Sequence, residues 1–433
     1  MKTLFAYQRA AVGFCNQVKN PALFMEMRLG KTLTAIRALA WERERKLVVA
    51  PLPVLATWAE ELDGEGRSWV DLHSWKEKDG ASSADWMLIN YEALRSRWKD
   101  LLHVRWGAVI LDESTRIKNP KAIVTKAILA GFTDVNRRFL LSGLPAPEGD
   151  LDYACQMLFL NGSFLGCKNY WETRARYFRK AGYEWLPRPG LKAKLKEYLE
   201  QRAFVLTRKS AGVGRQKVHS KRVVPSTPRQ RKLTAEVKKE FRLKEDRTKW
   251  VTTKFIWLAR IAGGQLADGE QISDEKSKEL VSLHKGELSG QSLVVFFRFN
   301  KELQAVRRYL GQKGIKCCAL TGATSNEERT EVRRRFQRGA FPILLAQIKV
   351  AKFGLDLSRA STAIYYSNSY SLEERAQTED RIIHPKKNEP PLYIDLVTAG
   401  SVDEQVVRIL QEKNFESRFL LNRLAREVEA AWT

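Results

Sequence analysis

Cysteine is scarce: five residues in 433 (Cys15, Cys155, Cys167, Cys317 and Cys318), with no Cys-x-x-Cys pair among them. Such spacing argues against a zinc site and against a disulfide framework. The adjacent Cys317 and Cys318 are expected in a strand of a protein kept in a reducing cytosol. Long apolar runs are also missing. Nothing approaches the ~20 residues that a membrane-spanning helix needs, so no membrane partner is expected. The opening Met1-Lys2-Thr3-Leu4-Phe5-Ala6-Tyr7-Gln8 turns polar too soon for a secretory signal, and the reading is cytoplasmic. Acidic residues are the third shortage, with 50 Asp and Glu against 75 Lys and Arg and a formal net charge of +25. The imbalance is local. Between Asn161 and Arg260 there are 27 Lys and Arg against 8 Asp and Glu, so 19 of the 25 surplus charges lie in that stretch. Solvated surfaces mix both signs, whereas a one-sign field of this size suits a polyanion, and nucleic acid is the expected partner.

What is present supports two or three domains with real cores, since 44% of the residues are apolar. Phe24-Met25-Glu26-Met27-Arg28-Leu29-Gly30-Lys31-Thr32 precedes a run rich in Leu, Ala and Ile that reads as a helix. A loop that opens a helix points backbone N–H groups at an anion. In a Gly-Lys-Thr sequence the lysine reaches β- and γ-phosphates and the threonine hydroxyl ligates Mg²⁺. Gly30, Lys31 and Thr32 are therefore candidate nucleotide ligands, with Arg28 and Leu29 beside them, although the full pattern has Gly where this chain has Met25. Gln8 lies just upstream, and its amide can both donate to and accept from an adenine edge.

Apolar runs at Leu47–Ala50, Trp86–Tyr91, Ala108–Leu111 and Phe139–Leu141 alternate with helical stretches such as Val54 to Leu62. This rhythm predicts a parallel sheet with helices on both faces. The third run ends in Asp112-Glu113. Asp112 is a candidate Mg²⁺ ligand, largely through water, and Glu113 a candidate to orient and polarise an attacking water. Alternation stops between Asp150 and about Leu280, where Leu191 to Phe204 and Arg229 to Gly263 read as long basic helices; Trp250 and Trp257 fall at helical spacing and are expected in the core. Arg215 to Arg231 reads as a flexible crossing segment. A second alternating series follows, with strands expected at Ser292–Phe297, Cys317–Leu320, Pro342–Ala346, Ala363–Tyr366 and Leu392–Leu396.

The order of these pieces resembles the Swi/Snf-type ATPases of helicase superfamily two. In the first half the resemblance rests on Tyr7-Gln8, Met27 to Thr32, Pro51 to Glu61, Ile89-Asn90-Tyr91-Glu92, Asp112 to Asn119 and Leu141 to Pro145, with Arg116-Ile117-Lys118-Asn119 the most specific part. Phe204 to Lys209 resembles a segment near the family's insertion. In the second half it rests on Thr321 to Thr324, Gly354-Leu355-Asp356-Leu357, Gln377-Thr378-Glu379-Asp380-Arg381 and the helix expected over Ser401 to Lys413. It implies an α/β fold of two RecA-like parallel-sheet lobes, with ATP between them and a basic helical insertion that lies against duplex DNA. The expected boundaries are a first lobe at 1–150, an insertion and linker at 151–280, a second lobe at 281–413 and a C-terminal helix at 414–433. It also implies catalytic roles for Lys31, Asp112, Glu113 and Arg381, nucleotide contacts from Asp356 and Gln377, and ATP with Mg²⁺ as the cofactors.

The implied activity is a DNA-stimulated ATPase that translocates on or remodels duplex or branched DNA. RNA is not excluded. A chain of this length is little more than such a motor, which points to a phage or bacterial cytoplasm. Two other readings stay open: a strand-separating DNA or RNA helicase, and a nucleic-acid-binding protein with a decayed ATPase. Departures from the family pattern motivate the second. Arg28 stands where the family has Gly, which predicts a differently shaped loop, because Gly tolerates φ > 0 and Arg seldom does. Ser114-Thr115 replaces Ala-His, Leu144 replaces Thr, and His384 replaces a second arginine. A neutral His lacks the fixed charge of an arginine finger, which leaves Arg381 as the expected finger, with Arg28 as a possible helper.

Overall fold

Strands buried on both faces must be apolar along their whole length, and the continuous runs in the sequence form such strands. The computed structural model describes residues 2–72, 84–181, 184–213, 216–240, 247–351, 355–383 and 389–414. Two compact units meet in the chain at Gly212 and Val213. The first unit contains β1 (Ala22–Met25), β2 (Arg45–Ala50), β3 (Trp69–Asp71), β4 (Trp86–Asn90), β5 (Trp106–Asp112), β6 (Arg137–Leu141), β7 (Phe178–Ala181), β8 (Glu184–Pro187) and β9 (Ala203–Leu206). Seven of them make one sheet in the order β3-β4-β2-β5-β6-β1-β9, every pair parallel. β7 and β8 form a separate antiparallel ribbon.

The second unit contains β10 (Val218–Val224), β11 (Leu293–Phe297), β12 (Cys317–Leu320), β13 (Ile343–Gln347), β14 (Thr362–Tyr365) and β15 (Leu392–Thr398). They form a parallel sheet in the order β10-β15-β14-β11-β13-β12. Its two faces belong to two apolar clusters. Val294 and Phe296 pack on one side with Leu344, Ala363 and Tyr393, while Leu293, Val295 and Phe297 pack on the other with Leu345, Ile364 and Ile394. The α/β class and the two parallel sheets agree with the expectation from sequence, and Cys317 and Cys318 do lie in a strand.

The segment read as a basic helical insertion is divided between the units. Residues up to Gly212 supply the β7–β8 ribbon and the edge strand β9 to the first, and residues from Val213 supply the edge strand β10 to the second. Its described helices are Tyr153–Asn161, Tyr170–Tyr177, Leu191–Glu200, Pro228–Glu240, Arg247–Ala262 and the start of Glu275–Lys285. Trp257, expected in the core, is exposed instead. The Trp250 side chain, Arg215, Gly354, His384 and the C-terminal helix beyond residue 414 lie outside the described residues. No helix among the described residues is long and apolar enough to cross a membrane.

Candidate active site

Strand β1 ends at Met25, and the chain turns twice through left-handed backbone before the helix Lys31–Ala38 begins. Gly30 takes the second turn at φ 78° and caps the helix. A Cβ there would lie 2.1 Å from Gln8 Nε2, so glycine is required by conformation and by space. Arg28 takes the first turn at φ 66°. The expectation that arginine would reshape the loop away from φ > 0 is therefore corrected. A non-glycine residue pays about 1–2 kcal/mol in this region, and such a conformation persists where its surroundings over-determine it. Arg208, just past β9, provides that restraint. Its backbone N–H donates to Glu26 Oε2 at 2.8 Å, and its Nε and Nη2 both donate to the Met27 carbonyl at 3.2 Å.

Lys31 Nζ reaches back over the turn to donate to the carbonyls of Met25 (2.9 Å) and Glu26 (3.4 Å). Thr32 stands half-buried in the first helical turn. Gln8 is buried against this loop; its Nε2 donates to the Leu29 carbonyl at 3.4 Å and its Oε1 accepts from the Phe5 N–H at 2.9 Å. Both ends of the amide expected on an adenine edge are thus directed at the chain itself.

Strand β5 is buried throughout and delivers Asp112 to its carboxyl end, one strand away from β1 across β6. The carboxyl edge of a parallel sheet is where such folds bind ligands. Trp58, on the helix Leu52–Gly64, donates its indole N–H to Asp112 Oδ2 at 2.8 Å, and the Glu113 N–H donates to Oδ1 at 2.9 Å. Tyr91 donates its hydroxyl to the Asp112 carbonyl at 2.8 Å. Burial pushes the Asp112 carboxyl up from its ordinary range, while the Lys31 charge, the Trp58 indole and the Glu113 N–H pull it down. Lys31 and Asp112 are therefore brought into electrostatic contact from strands that are distant in sequence. Glu113 follows at φ 50° and opens a short 3₁₀ turn, Ser114–Ile117.

The end of β6 lies between these two loops. Asp112 pairs with Leu141 across one side of it and Leu23 with Leu141 across the other. Gly143 comes so close to the loop before Gly30 that a Cβ would sit 3.2 Å from Met27 Cγ. Ser114 is fully buried and donates to Gln156 Oε1 at 2.6 Å. Gln156 Nε2 in turn donates to the Pro145 carbonyl at 2.7 Å. The acidic loop and the Leu144-Pro145 turn are thus joined through one buried amide. Among these residues Trp58, Gln156 and Arg208 were not singled out from sequence. Each acts across a long separation that no local pattern records.

In the second unit, Arg375 organises the helix Leu372–Glu379. Its Nε donates to Glu379 Oε1 (2.7 Å), Nη1 to Asn368 Oδ1 (2.7 Å) and to Asp395 Oδ1 (2.5 Å), and Nη2 to Asp395 Oδ2 (3.2 Å). The guanidinium lies 3.5 Å over the Tyr365 ring. Burial opposes its charge, but Asp395, Tyr365 and Glu379 overcome that and raise its pKa. Lys217, on the loop before β10, bridges Glu379 and Asp380 at 2.9 Å each. Burial pushes the Glu379 carboxyl up, and Lys217 and Arg375 more than reverse this, to about 2. Gln377 is buried on the same helix, with Nε2 3.4 Å from Glu373 Oε1. Arg381 follows directly, and its carbonyl accepts from the Leu357 N–H at 3.0 Å. That bond ties it to the loop of Asp356, whose Oδ1 caps the Ser358 N–H at 3.1 Å and whose side chain is exposed. Asp356, Gln377 and Arg381 thus share one region of the second unit, and Arg375 holds it together.

Magnesium favours oxygen donors and keeps much of its water. The Thr32 hydroxyl and the Asp112 carboxylate are donors of that kind on the first unit, so the residues present fit the ion beside a phosphate chain.

Residues 7–208 match the SNF2-related domain and residues 275–386 match the helicase conserved C-terminal domain. A Bacillus subtilis protein, YwqA, described as a candidate ATP-dependent helicase/translocase, is 24% identical over 425 residues, which cover 90% of this chain and 45% of that protein. The SWI/SNF-related matrix-associated actin-dependent regulator of chromatin subfamily A-like protein 1 of Xenopus tropicalis is 23% identical over 95% of this chain and 44% of its own length. The chain therefore spans less than half the length of these relatives. The Sulfolobus solfataricus SWI2/SNF2 ATPase core in complex with dsDNA aligns at 22% identity with a TM-score of 0.48, covering 98% of this chain and 95% of that one.

Proposed function

We propose that this chain, which belongs to the SNF2-related family, is an ATP-driven motor that translocates on or remodels duplex or branched DNA. The observation that carries the reading is the pairing of a left-handed Gly30 turn and Lys31 with a buried, indole-anchored Asp112 on the carboxyl edge of one parallel sheet. The helix N-terminus and Lys31 would hold the β- and γ-phosphates. Thr32 and Asp112 would hold Mg²⁺, which neutralises charge developing on the phosphates. Glu113 would position and polarise the attacking water. Arg381 would act as the arginine finger, and Asp356 and Gln377 would be nucleotide contacts. Gln8, Arg28 and Leu29 would shape the loop that holds the phosphates.

Grip on DNA would come from Lys and Arg meeting phosphates, chiefly in the basic segment between Asn161 and Arg260. Binding is then salt-sensitive and weakly sequence-specific. The test is ATP turnover without nucleic acid and with single strands, duplex, forked DNA and RNA, beside Lys31→Ala and Arg381→Ala. Turnover should rise with DNA, disappear in Lys31→Ala, and fall by ~10³-fold or more in Arg381→Ala. Tight DNA binding without phosphate release would replace this reading with a decayed ATPase. Release of a labelled strand, rather than displacement of a triplex strand, would replace translocation with unwinding.

A further inference from the structure

The first unit carries an aromatic and cationic cluster that the candidate nucleotide loops do not include. The helix Tyr170–Tyr177 begins at an Asn169 cap and places Trp171 and Arg174 three residues apart on one face. The β7–β8 ribbon follows and brings Trp185, opposite Lys180, to the same place. The Arg174 guanidinium lies 4.7 Å from the centre of the Trp171 ring and 4.2 Å from that of the Trp185 ring, so one cation meets two indoles. Tyr170 meets Trp171 edge-on at 5.2 Å, and Lys121 Nζ lies 5.9 Å from the same ring. These contacts hold Trp171 in one orientation while 45% of it stays in solvent.

A single exposed aromatic is ordinary on a soluble surface, but an indole fixed by neighbouring rings and cations can bind something. Its surroundings limit what. From Lys168 to Lys196 there are nine Lys and Arg against two acids, so the ligand is an anion that also offers an aromatic face. Nucleotides combine the two, but a duplex hides its base faces in the stack. Unpaired nucleotides expose them, and aromatic side chains in basic grooves bind them by stacking.

We propose that Trp171, held by Arg174 and Trp185, is a stacking platform for an unpaired base, and that the substrate is duplex DNA adjoining a single-stranded tail or branch. This rests on the motor reading and narrows its substrate to junctions. The test is equilibrium binding without ATP, by fluorescence anisotropy. One ligand is a duplex with a short oligo-dT tail and the other is the same duplex with an abasic tail of equal phosphate number. The intact chain should prefer the base-bearing tail by about 5-fold or more, the lower end of the range for loss of one stacked base. Trp171→Ala should bring the ratio near one, and Trp171→Phe should retain part of it.

Equal binding of the two tails by the intact chain overturns the proposal. So does a Trp171→Ala variant that binds both more weakly but keeps the preference. ATP turnover is measured separately. A base preference without DNA-stimulated turnover refutes the motor and leaves the platform; stimulated turnover without the preference refutes the platform alone.

Discussion

Replacing Arg375 with Met keeps a side chain of similar reach while removing the charge that four groups share. The guanidinium donates to Glu379, Asn368 and both oxygens of Asp395 and covers the Tyr365 ring, all of it buried. Taking away one partner of a buried ion pair leaves uncompensated charge and costs about 3–5 kcal/mol. The pH dependence separates this cause from simple loss of packing. Glu379 is depressed to about 2, so its pairing stabilises the fold above the ordinary carboxylate range and is lost as the pH falls toward about 2. At ~1.4 kcal/mol per pKa unit that depression is worth roughly 3 kcal/mol, divided between Lys217 and Arg375. Arg375→Met should therefore differ most from the parent chain near neutrality and progressively less on acidification, as the orphaned carboxylates take up protons. Hydrogen exchange at the amides of β14 and β15 reads the stability of this unit directly. A gap that stays constant between about pH 7 and about pH 3 would show that packing, not charge, accounts for the loss. The same variant should slow ATP turnover, because the helix it loosens carries Gln377 and leads directly into Arg381.

Trp58→Phe removes the indole donor from Asp112, and hydrogen bonds to charged groups contribute ~1.5–3 kcal/mol. A double-mutant cycle with Asp112→Ala, read by urea unfolding, should return a coupling of that order; strict additivity would mean that the bond contributes nothing. Arg28 tests the left-handed turn. Arg28→Val should lower stability by about 1–2 kcal/mol and Arg28→Gly should leave it nearly unchanged, since relief of strain and greater unfolded-chain entropy oppose each other. Equal thermal stability of the two variants would contradict the strained backbone.

The two sheets were legible because parallel strands covered on both faces appear in sequence as unbroken apolar runs, and most of β2, β4, β5, β6 and the later strands could be read that way. β1, with four residues, and β9 and β10, inside the most basic part of the chain, were not. Their place depends on partners far away in sequence: Ala22–Met25 pairs with Ala203–Leu206, and Val218–Val224 with Leu392–Thr398. The site divides in the same way. Gly30-Lys31-Thr32 and Asp112-Glu113 are compact signals, because the chemistry needs those groups at fixed short spacing. The side chains that hold them are set by tertiary geometry alone. Trp58 is 54 residues from Asp112 in sequence and Arg208 is 181 from Met27, and neither separation leaves a periodic trace. Arg28 shows the consequence. A local rule that arginine avoids φ > 0 anticipates a different loop, yet β9 places Arg208 so that two guanidinium bonds hold the Met27 carbonyl where the left-handed turn needs it. The cost at Arg28 is local and the compensation lies on the adjoining edge strand, 181 residues along the chain from Met27, so arginine here keeps a conformation that glycine favours.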